Sequence, residues 1–501
     1  MPERLHKKTM QNGTHLAAVD LGSNSFRLEI GRYEFGHIQR VEYLKETVRQ
    51  GNGLDNEHNL SHDAMQRGWD CLARFAERLA DFPRAQVRAV ATQTLREARN
   101  REEFLQRGSM VLGHPIDVVS GLEEARLIYQ GVARLLPQSN ERRMVVDIGG
   151  RSTELILGEQ FTPHAVASFR VGSVAWSSRY FAEGLFSSQA FAAAEIAAKA
   201  VLDEAVETYR RDAWDVAYGS SGTVGAVGDI LAAAGQPEGI ITRDSLDWLR
   251  ERLLRAQSSE KIRLDGLKED RRPVIGGGLS VLRAIFDLLE IDEMRVAQGA
   301  LRQGALYDLL DREQPETDLR TSTVLGLVQS FAVDRSHAER VARIACTLFE
   351  QASPSHAGTS LRKLNWAAQL HEIGCRISHS DYHRHGAYIL ENTDVAGFAQ
   401  HELHRLGTLV LGHRGKVRKL DADLNDSTFA LQLMCLRLAV ALCHARRDPD
   451  MDGITLALRN QHFHLGTRTG WASAYPQSAH LLREETLAWQ RTPWELQADM
   501  D

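Results

Sequence analysis

Residues 20–31 read Asp20-Leu-Gly-Ser-Asn-Ser-Phe-Arg-Leu-Glu-Ile-Gly31, and residues 147–158 read Asp147-Ile-Gly-Gly-Arg-Ser-Thr-Glu-Leu-Ile-Leu-Gly158. At matching positions both stretches have an Asp, an apolar residue, a Gly, a small residue, a Ser, a Leu, an aliphatic residue and a closing Gly. Each follows one apolar run and precedes another, so each is expected to form a strand, a tight turn and a returning strand. The repeat indicates a chain built from two related halves.

The turn residues of this repeat are suited to a phosphate. Glycines allow backbone N–H groups to point outward together, and the serines add hydroxyl donors. The leading Asp20 and Asp147 carry the carboxylate that Mg²⁺ prefers. One Asp-Gly turn would be ordinary hairpin chemistry, but two copies at the heads of two halves favour a site that grips a phosphate and its metal from both sides.

Length and composition are those of a globular protein with several domains. The 501 residues, 43% hydrophobic and 25% charged, predict two to four domains. No apolar run approaches the roughly 18 residues that span a bilayer, and the N-terminus lacks the apolar core of a signal peptide, so a cytoplasmic location is expected. Five scattered cysteines without a Cys-x-x-Cys pair indicate reduced thiols. The net charge of −6 argues against a general nucleic-acid-binding protein.

Strands and helices alternate in the first two thirds of the chain, which indicates an α/β fold. Apolar runs at 87–91 and 116–119 predict strands, each followed by a helix, and the second helix has Glu123 and Glu124 in its first turn. A long Ala-rich helix is predicted over 187–211. From residue 322 to about 447 the pattern changes to successive helices, and a last segment mixes strand-like and helical stretches. Domain boundaries are therefore predicted near 140, 316 and 450.

Two glycine-containing segments of the second half suggest close approach to the backbone. Gly219-Ser220-Ser221-Gly222 stands at a strand-to-helix junction, where free N–H groups would offer an anion site, although a plain loop and N-cap fit equally well. Gly276-Gly277-Gly278 lies inside a helix-like region. Because three glycines weaken a helix, its backbone is expected to approach another element or a ligand closely.

Motifs along the whole chain resemble the exopolyphosphatase and guanosine pentaphosphate phosphohydrolase family, a branch of the acetate-and-sugar-kinase and actin superfamily. Beside the repeated stretches, the resemblance is carried by Ala91-Thr-Gln-Thr-Leu-Arg96, Ser120-Gly-Leu-Glu-Glu-Ala-Arg-Leu-Ile, Ser220-Ser-Gly-Thr, Gly299-Ala-Leu-Arg302-Gln-Gly, Leu370-His-Glu-Ile-Gly and His383-Arg-His-Gly-Ala-Tyr-Ile-Leu. The resemblance implies two actin-like, ribonuclease H-like ATPase lobes over 1–139 and 140–316, an all-α HD-like domain over 317–450 and a small α+β domain over 451–501.

The resemblance further implies hydrolysis of a terminal phosphoanhydride with release of orthophosphate. Inorganic polyphosphate is the substrate expected first, which predicts a processive, Mg²⁺-dependent exopolyphosphatase with K⁺ as a candidate activator. Guanosine pentaphosphate hydrolysis is the alternative within the same class, because the catalytic motifs are shared. A non-catalytic sensor of polyphosphate or an alarmone and a sugar or acetate kinase are alternatives from other classes. A homodimer, no nucleic-acid partner and at most peripheral membrane association are also expected.

The resemblance also assigns roles to individual residues. Glu124 matches the water-activating base, Arg96 an arginine near the terminal phosphate, and Asp147 and Glu154 the metal-holding pair, with Asp20 as a further metal candidate. The phosphate-binding set is Gly22, Asn24, Ser25, Gly149, Ser152, Ser221 and Gly222. Solvent-exposed positions are the structural alternative for Arg96 and Glu154.

Two residues near these motifs have open roles. Glu123 is expected to complement the helix dipole, and its crowding of Glu124 would raise the pKa of that carboxyl. Arg151 stands where the family commonly has a third Gly in the second hairpin. Its guanidinium is expected to contact either phosphate or solvent.

The helical region is rich in histidine and in basic residues. His337, His371-Glu372 and His413 suggest a metal-dependent HD phosphohydrolase, but Glu372 and Val440 stand where that motif needs Asp, so no second active centre is expected. Basic residues concentrate at His379, His383-Arg384-His385, His413-Arg414-Gly-Lys416-Val-Arg418-Lys419 and Arg446-Arg447. Because long polyanions bind through many weak phosphate contacts, Arg414 and Lys416 are predicted to bind substrate in a polyphosphate groove. A solvated basic face is the alternative.

Overall fold

The computed structural model describes residues 10–313, 318–353, 358–420, 423–490 and 492–500. The chain forms two compact units. The first holds the residues up to Asp318 together with Asp394–Ala399, and the second holds Leu319–Thr393 and the residues from Gln400 onward. The predicted boundary at 316 lies outside the described residues, and those near 140 and 450 fall inside the first and the second unit, where they remain predictions.

Two sheets with flanking helices make up the first unit, so the predicted α/β alternation is confirmed. Its strands are β1 (His15–Leu21), β2 (Ser25–Glu34), β3 (His37–Thr47), β4 (Val87–Ala91), β5 (Ile116–Val118), β6 (Arg142–Ile148), β7 (Thr153–Glu159), β8 (Thr162–Phe169), β9 (Val216–Ser220), β10 (Ile240–Thr242) and β11 (Glu293–Val296). Its helices are α1 (His62–Leu79), α2 (Gln93–Glu97), α3 (Arg101–Leu112), α4 (Gly121–Ala133), α5 (Ser173–Tyr180), α6 (Ser188–Leu202), α7 (Ser221–Ala233), α8 (Arg243–Ala256), α9 (Ile275–Leu288) and α10 (Leu301–Glu313).

The two sheets of the first unit share one plan. Their strand orders are β3-β2-β1-β4-β5 and β10-β11-β9-β6-β7-β8. In each sheet, the three strands that come first in the chain are antiparallel. The chain then crosses over through helical segments, and the next strand pairs in parallel with the opening strand, β4 with β1 and β9 with β6. The register repeats too, since Asp20 lies opposite Arg27 and Asp147 lies opposite Glu154. The two related halves predicted from the sequence are therefore confirmed.

Two local expectations for the second half have different outcomes. The close approach at the three glycines is confirmed, because a Cβ on Gly277 would overlap the backbone of Ser177 in α5. The Ala-rich helix is shorter than predicted and ends at Leu202. Beyond it, the Tyr209 hydroxyl donates to the Leu155 carbonyl at 2.8 Å, and the Trp214 indole donates to the Tyr209 carbonyl. These buried contacts tie the chain to β7 and end the helix.

The second unit is mainly helical, as the sequence predicts for residues 322–447. Its helices are α11 (Leu319–Ser330), α12 (Arg335–Ala352), α13 (Thr359–Leu370), α14 (Tyr382–Asn392), α15 (Gln400–Gly412), α16 (Ser427–Leu442), α17 (Trp471–Ala474) and α18 (Pro476–Trp489), and its strands are β12 (Thr455–Arg459), β13 (His462–Gly466) and β14 (Glu495–Asp499). The Trp494 indole donates to the Leu424 carbonyl at 2.8 Å and packs on Phe463. This tryptophan fixes the three-stranded sheet to the helical part. Among the described residues, no helix is long and apolar enough to cross a membrane.

Candidate active site

The turns of the two repeated hairpins lie against each other. Gly22 and Gly149 occupy matching places, because a Cβ on either would stand 3.0 or 3.1 Å from the carbonyl oxygen of the serine that closes its turn. A Cβ on Gly150 would come within 2.9 Å of the Ser23 Cβ. Glycine at position 150 therefore lets the two turns touch.

A polar cavity of about 60 Å³ lies at these turns. It brings together most of the predicted site residues, namely Asp20, Gly22, Asn24, Ser25, Glu124, Asp147, Gly149, Ser152 and Ser221. Glu154 lies opposite Asp147 in the register, and Arg96 binds Glu124. Gly222 lines an adjoining cavity. Segments that are far apart in the sequence thus meet at one cleft.

Glu124 lies in the first turn of α4. Ser120 caps this helix, since its hydroxyl accepts from the Glu123 N–H at 3.2 Å. The Glu124 side chain is buried, and its Oε2 accepts from Nη1 of Arg96 at 2.6 Å. Burial raises the pKa of Glu124, while the charge of Arg96 lowers it and that of Asp20 raises it further. A raised pKa makes this carboxylate a better base near neutral pH.

Arg96 is placed to orient Glu124. Its Nε and Nη2 donate to Oε1 of Gln93 at 3.1 and 2.6 Å, and its Nη1 also donates to the Val119 carbonyl at 2.9 Å. Each of these three nitrogens therefore has an acceptor within the protein. The contact with a terminal phosphate, which the family resemblance implies, stays a prediction.

Asp147 and Glu154 face each other on β6 and β7. Burial, followed by the charge of Glu124, raises the pKa of Asp147 to about 7, against hydrogen bonds from two serine hydroxyls. Burial and the charges of Glu124 and Asp147 raise the pKa of Glu154 well above its ordinary value. Oε1 of Glu154 accepts from the Ser168 hydroxyl at 2.7 Å, whereas its Oε2 is buried without a hydrogen-bond partner among the described residues.

This carboxylate cluster fits a divalent cation. Mg²⁺ prefers a few carboxylates together with water and substrate phosphate. A cation beside Asp147 and Glu154 would remove the repulsion that raises their pKa values, and it would engage the buried Oε2 of Glu154. These two residues are therefore the ones that would hold the metal.

Three arginines without a predicted role also line the cavity. Nη1 of Arg27 and Nη1 of Arg302 lie 3.2 and 3.4 Å from Oδ2 of Asp20, so this carboxylate already has cationic partners. Arg271 is 8% exposed, and burial and the charge of Arg27 lower its pKa, which favours an added anion. Strand periodicity could have found Arg27, because it follows Ser25 by two positions on β2. The short 3₁₀ helix Glu269–Val274, which contains Arg271, offers no such signal.

The junction of β9 and α7 supports the anion-site interpretation. Ser221 has a left-handed φ of 74°, a conformation that is uncommon for a non-glycine residue. A Cβ on Gly222 would overlap the Arg271 guanidinium. The Ser220 hydroxyl makes no cap to α7 and donates to the Gly299 carbonyl at 2.9 Å. The N-terminal N–H groups of α7 therefore lie beside Arg271 without a side-chain cap, which favours an anion site, and the binding of an anion there stays a prediction.

A second cavity of about 390 Å³ adjoins the first. The two share Arg27, Ser221, Arg271, Ala300 and Arg302. The rest of its lining includes an aromatic ring, two lysines and several glycines, namely Tyr43, Lys45, Lys268, Gly222, Gly225 and Gly266. The Arg302 guanidinium lies over the Tyr43 ring at 5.2 Å from its centre. The phosphate cleft thus continues into a larger, basic space.

Glu123 is buried in a charge network at the first turn of α4. Its carboxylate accepts from Nε of Arg126 and from the Gly397 N–H at 2.8 and 2.7 Å. Arg126 also reaches Oδ1 of Asp308 in α10 at 2.6 Å. Complementing the helix dipole is therefore only part of what Glu123 does, because it also fixes α4 to two other segments of the first unit.

The remaining basic residues have other surroundings. Nη2 of Arg151 lies 2.7 Å from Oε2 of Glu97, so this guanidinium has a partner within the protein, and its contact with phosphate stays a prediction. Arg414 and Lys416 are exposed in the second unit, where the Arg414 guanidinium lies over the Tyr382 ring. Their contact with substrate stays a prediction.

Two copies of one sheet plan around a polar cleft place the chain in the actin-like superfamily. The sequence pattern of the Ppx/GppA phosphatase family matches residues 30–313, and that of its domain III matches residues 319–487. The chain belongs to the Ppx/GppA phosphatase family and is a phosphoanhydride hydrolase.

Known relatives agree with this membership. A guanosine-5'-triphosphate,3'-diphosphate pyrophosphatase of Vibrio atlanticus is 40% identical over 94% of this chain and 95% of its own. A solved exopolyphosphatase-like protein is 25% identical and covers 60% of this chain and 98% of its own, with a TM-score of 0.55. The fold is also similar to that of an exopolyphosphatase from Cytophaga hutchinsonii, at 22% identity, the same coverage and a TM-score of 0.54.

Proposed function

We propose that the chain hydrolyses guanosine pentaphosphate to guanosine tetraphosphate and orthophosphate, with Mg²⁺ as cofactor. The sequence motifs alone put polyphosphate first and this substrate second. The relative from Vibrio atlanticus carries a name for activity on the guanosine compound and matches nearly the full length of both chains. This similarity favours the nucleotide substrate.

The observation that carries the proposal is the pair of adjoining cavities. The small cavity of about 60 Å³ suits a phosphate, and the larger one of about 390 Å³ has room for further groups. Its aromatic ring, Tyr43, can contact a flat base, and its lysines and arginines can bind additional phosphates. Guanosine pentaphosphate has both a flat base and additional phosphates, whereas inorganic polyphosphate has no base.

The residues of the cleft supply the parts that hydrolysis needs. Water attacks the terminal phosphorus on the side opposite the bridging oxygen. The bond between that phosphorus and the bridging oxygen breaks, and guanosine tetraphosphate leaves. The Glu124 carboxylate takes the proton of the attacking water, and Arg96 fixes it through Oε2. Arg27, Arg271 and the N–H groups of the two turns bind the phosphate oxygens. Asp147 and Glu154 would hold Mg²⁺, which would neutralise charge on the phosphates.

Phosphate release from guanosine pentaphosphate and from long polyphosphate, with and without Mg²⁺, tests the proposal. Replacing Tyr43→Ala should raise KM for the nucleotide about tenfold, the effect of losing a base-stacking contact, and should leave polyphosphate hydrolysis unchanged. Phe35→Ala is the matched control, since it removes an 82% exposed aromatic ring from the turn of the same hairpin. Release from polyphosphate alone would contradict the proposal.

Exopolyphosphatase activity is the second candidate function. The solved exopolyphosphatase-like relative and the basic lining of the larger cavity favour it, because consecutive phosphates can follow a row of cations. The same assay distinguishes the two. If polyphosphate is the substrate, its hydrolysis should be faster than that of the nucleotide and insensitive to Tyr43→Ala.

A further inference from the structure

The second unit holds three metal-ligating side chains that phosphoanhydride hydrolysis does not use. His337 lies in the first turn of α12, and His371 and Glu372 follow directly after α13. One ligand atom from each of the three lies within 4.8 Å of the others. We propose that His337, His371 and Glu372 bind one divalent transition-metal ion of the Zn²⁺ type.

His371 is held in the tautomer that a metal ligand needs. Its side chain is 1% exposed, and its Nδ1 lies 2.7 Å from the Ala368 carbonyl oxygen. A carbonyl oxygen only accepts, so Nδ1 carries the hydrogen and Nε2 of the neutral ring keeps its lone pair. A hydrogen bond of this kind is the usual support behind a metal-ligating imidazole.

The other rings of the cluster fix the geometry around His371. The His337 ring lies 5.6 Å from that of His371, centre to centre, and Oδ1 of Asp334 fixes the His337 backbone N–H at 3.1 Å. On another side, the His413 ring stands 5.4 Å from His371. Nε2 of His413 is 3.4 Å from the Tyr382 hydroxyl, so His413 forms a wall of the site and is not a ligand.

The donor set selects the class of ion. Two imidazole nitrogens and one carboxylate oxygen are the ligands of three-residue Zn²⁺ sites, which leave a further position for water. Mg²⁺ and Ca²⁺ prefer oxygen ligands throughout. This site and the carboxylate cleft of the first unit therefore suit different metals.

Arg446 sets the affinity of the site. Its Nη2 lies 2.6 Å from Oε1 of Glu372, and its Nη1 lies 3.1 Å from Oδ2 of Asp334. A metal ion must share Glu372 with this guanidinium, and two positive charges at one carboxylate repel each other. Removing Arg446 should therefore strengthen metal binding, an effect that a purely structural role of the histidines would not produce.

Titration calorimetry with Zn²⁺ on the untagged full chain, stripped with a chelator, tests the proposal. The wild type should bind one ion at this site, and Co²⁺ in its place should give the visible absorption of a nitrogen-containing site. His337→Gln and Glu372→Gln should each weaken binding about tenfold or more, and Arg446→Ala should strengthen it on the order of tenfold. His379→Ala and Arg447→Ala, at exposed positions of the same unit, should leave the affinity for Zn²⁺ unchanged.

Several results would overturn the site. One is the absence of stoichiometric binding in both the wild type and Arg446→Ala. Another is unchanged affinity in His337→Gln and Glu372→Gln. Asp147→Asn removes a carboxylate of the first unit and should retain the ion, so loss of the ion in that variant would assign it to the cleft instead. If the glutamine variants fail to fold, the Co²⁺ spectrum of the wild type decides.

Discussion

Ionisation of the buried Asp147 lowers the stability of the folded chain at neutral and alkaline pH when no cation is bound. Burial and the charge of Glu124 raise its pKa from 3.8 to about 7. The folded chain thus binds the proton more tightly than the unfolded chain, so the associated stability is fully present below pH 3.8 and is lost as the pH rises through about 7. Asp147→Asn keeps the shape and cannot ionise. Without Mg²⁺, the variant should be more stable than the wild type above this range.

The magnitude follows from the shift of the Asp147 pKa. At pH 8 a shift of about 3 units corresponds to about 4 kcal/mol of unfolding free energy. At pH 5 the carboxyl is ionised only in the unfolded chain, and the unfolding free energy is lowered by about 1–2 kcal/mol. The advantage of Asp147→Asn should therefore grow by about 2–3 kcal/mol between pH 5 and pH 8.

Urea unfolding of both proteins in EDTA at pH 5 and pH 8 measures this difference. The relevant transition is the one that Mg²⁺ shifts in the wild type, since a chain with two units need not unfold in one step. Mg²⁺ at pH 8 should stabilise the wild type and not Asp147→Asn. Asp292→Asn, at a side chain that is 83% exposed, is the control. The reasoning would be refuted if the two proteins differed in stability by the same amount at both pH values, or if Mg²⁺ stabilised both proteins equally.

Three further predictions concern other charged residues. Glu124→Gln should lower kcat by about 10²–10⁴-fold in phosphate-release assays, because an amide cannot take a proton from water, whereas Glu102→Gln, at an 83% exposed position, should not. Glu123→Gln should instead lower the free energy of unfolding by about 3–5 kcal/mol, the effect of breaking a buried ion pair, and a normal denaturation midpoint would contradict this. Replacing Arg414 and Lys416 by Ala should weaken the binding of long polyphosphate more than that of short chains. Equal effects on long and short chains would contradict the predicted polyphosphate groove.

Sequence patterns predicted the parts of the site that depend on neighbours along the chain. Asp20 and Asp147 lie near the ends of strands that enter Gly-containing turns, so local chemistry placed both, whereas the family resemblance placed Glu124. Arg271 could not be found in this way. Its position matters only because the fold brings it to Gly222, and no periodic pattern links its short 3₁₀ helix to a distant strand-to-helix junction. The end of α6 is a similar case, since buried aromatic contacts decide it.

The two hairpins carry opposite charges at the position that faces the leading aspartate, and this difference suggests different roles for them. Asp20 lies opposite Arg27, whereas Asp147 lies opposite Glu154. An arginine opposite an aspartate compensates its charge and leaves N–H groups for a phosphate. Two carboxylates on adjacent strands repel each other, and a bound cation relieves that repulsion. This charge difference on one shared backbone plan supports the proposal that the first hairpin binds phosphate and the second binds the metal.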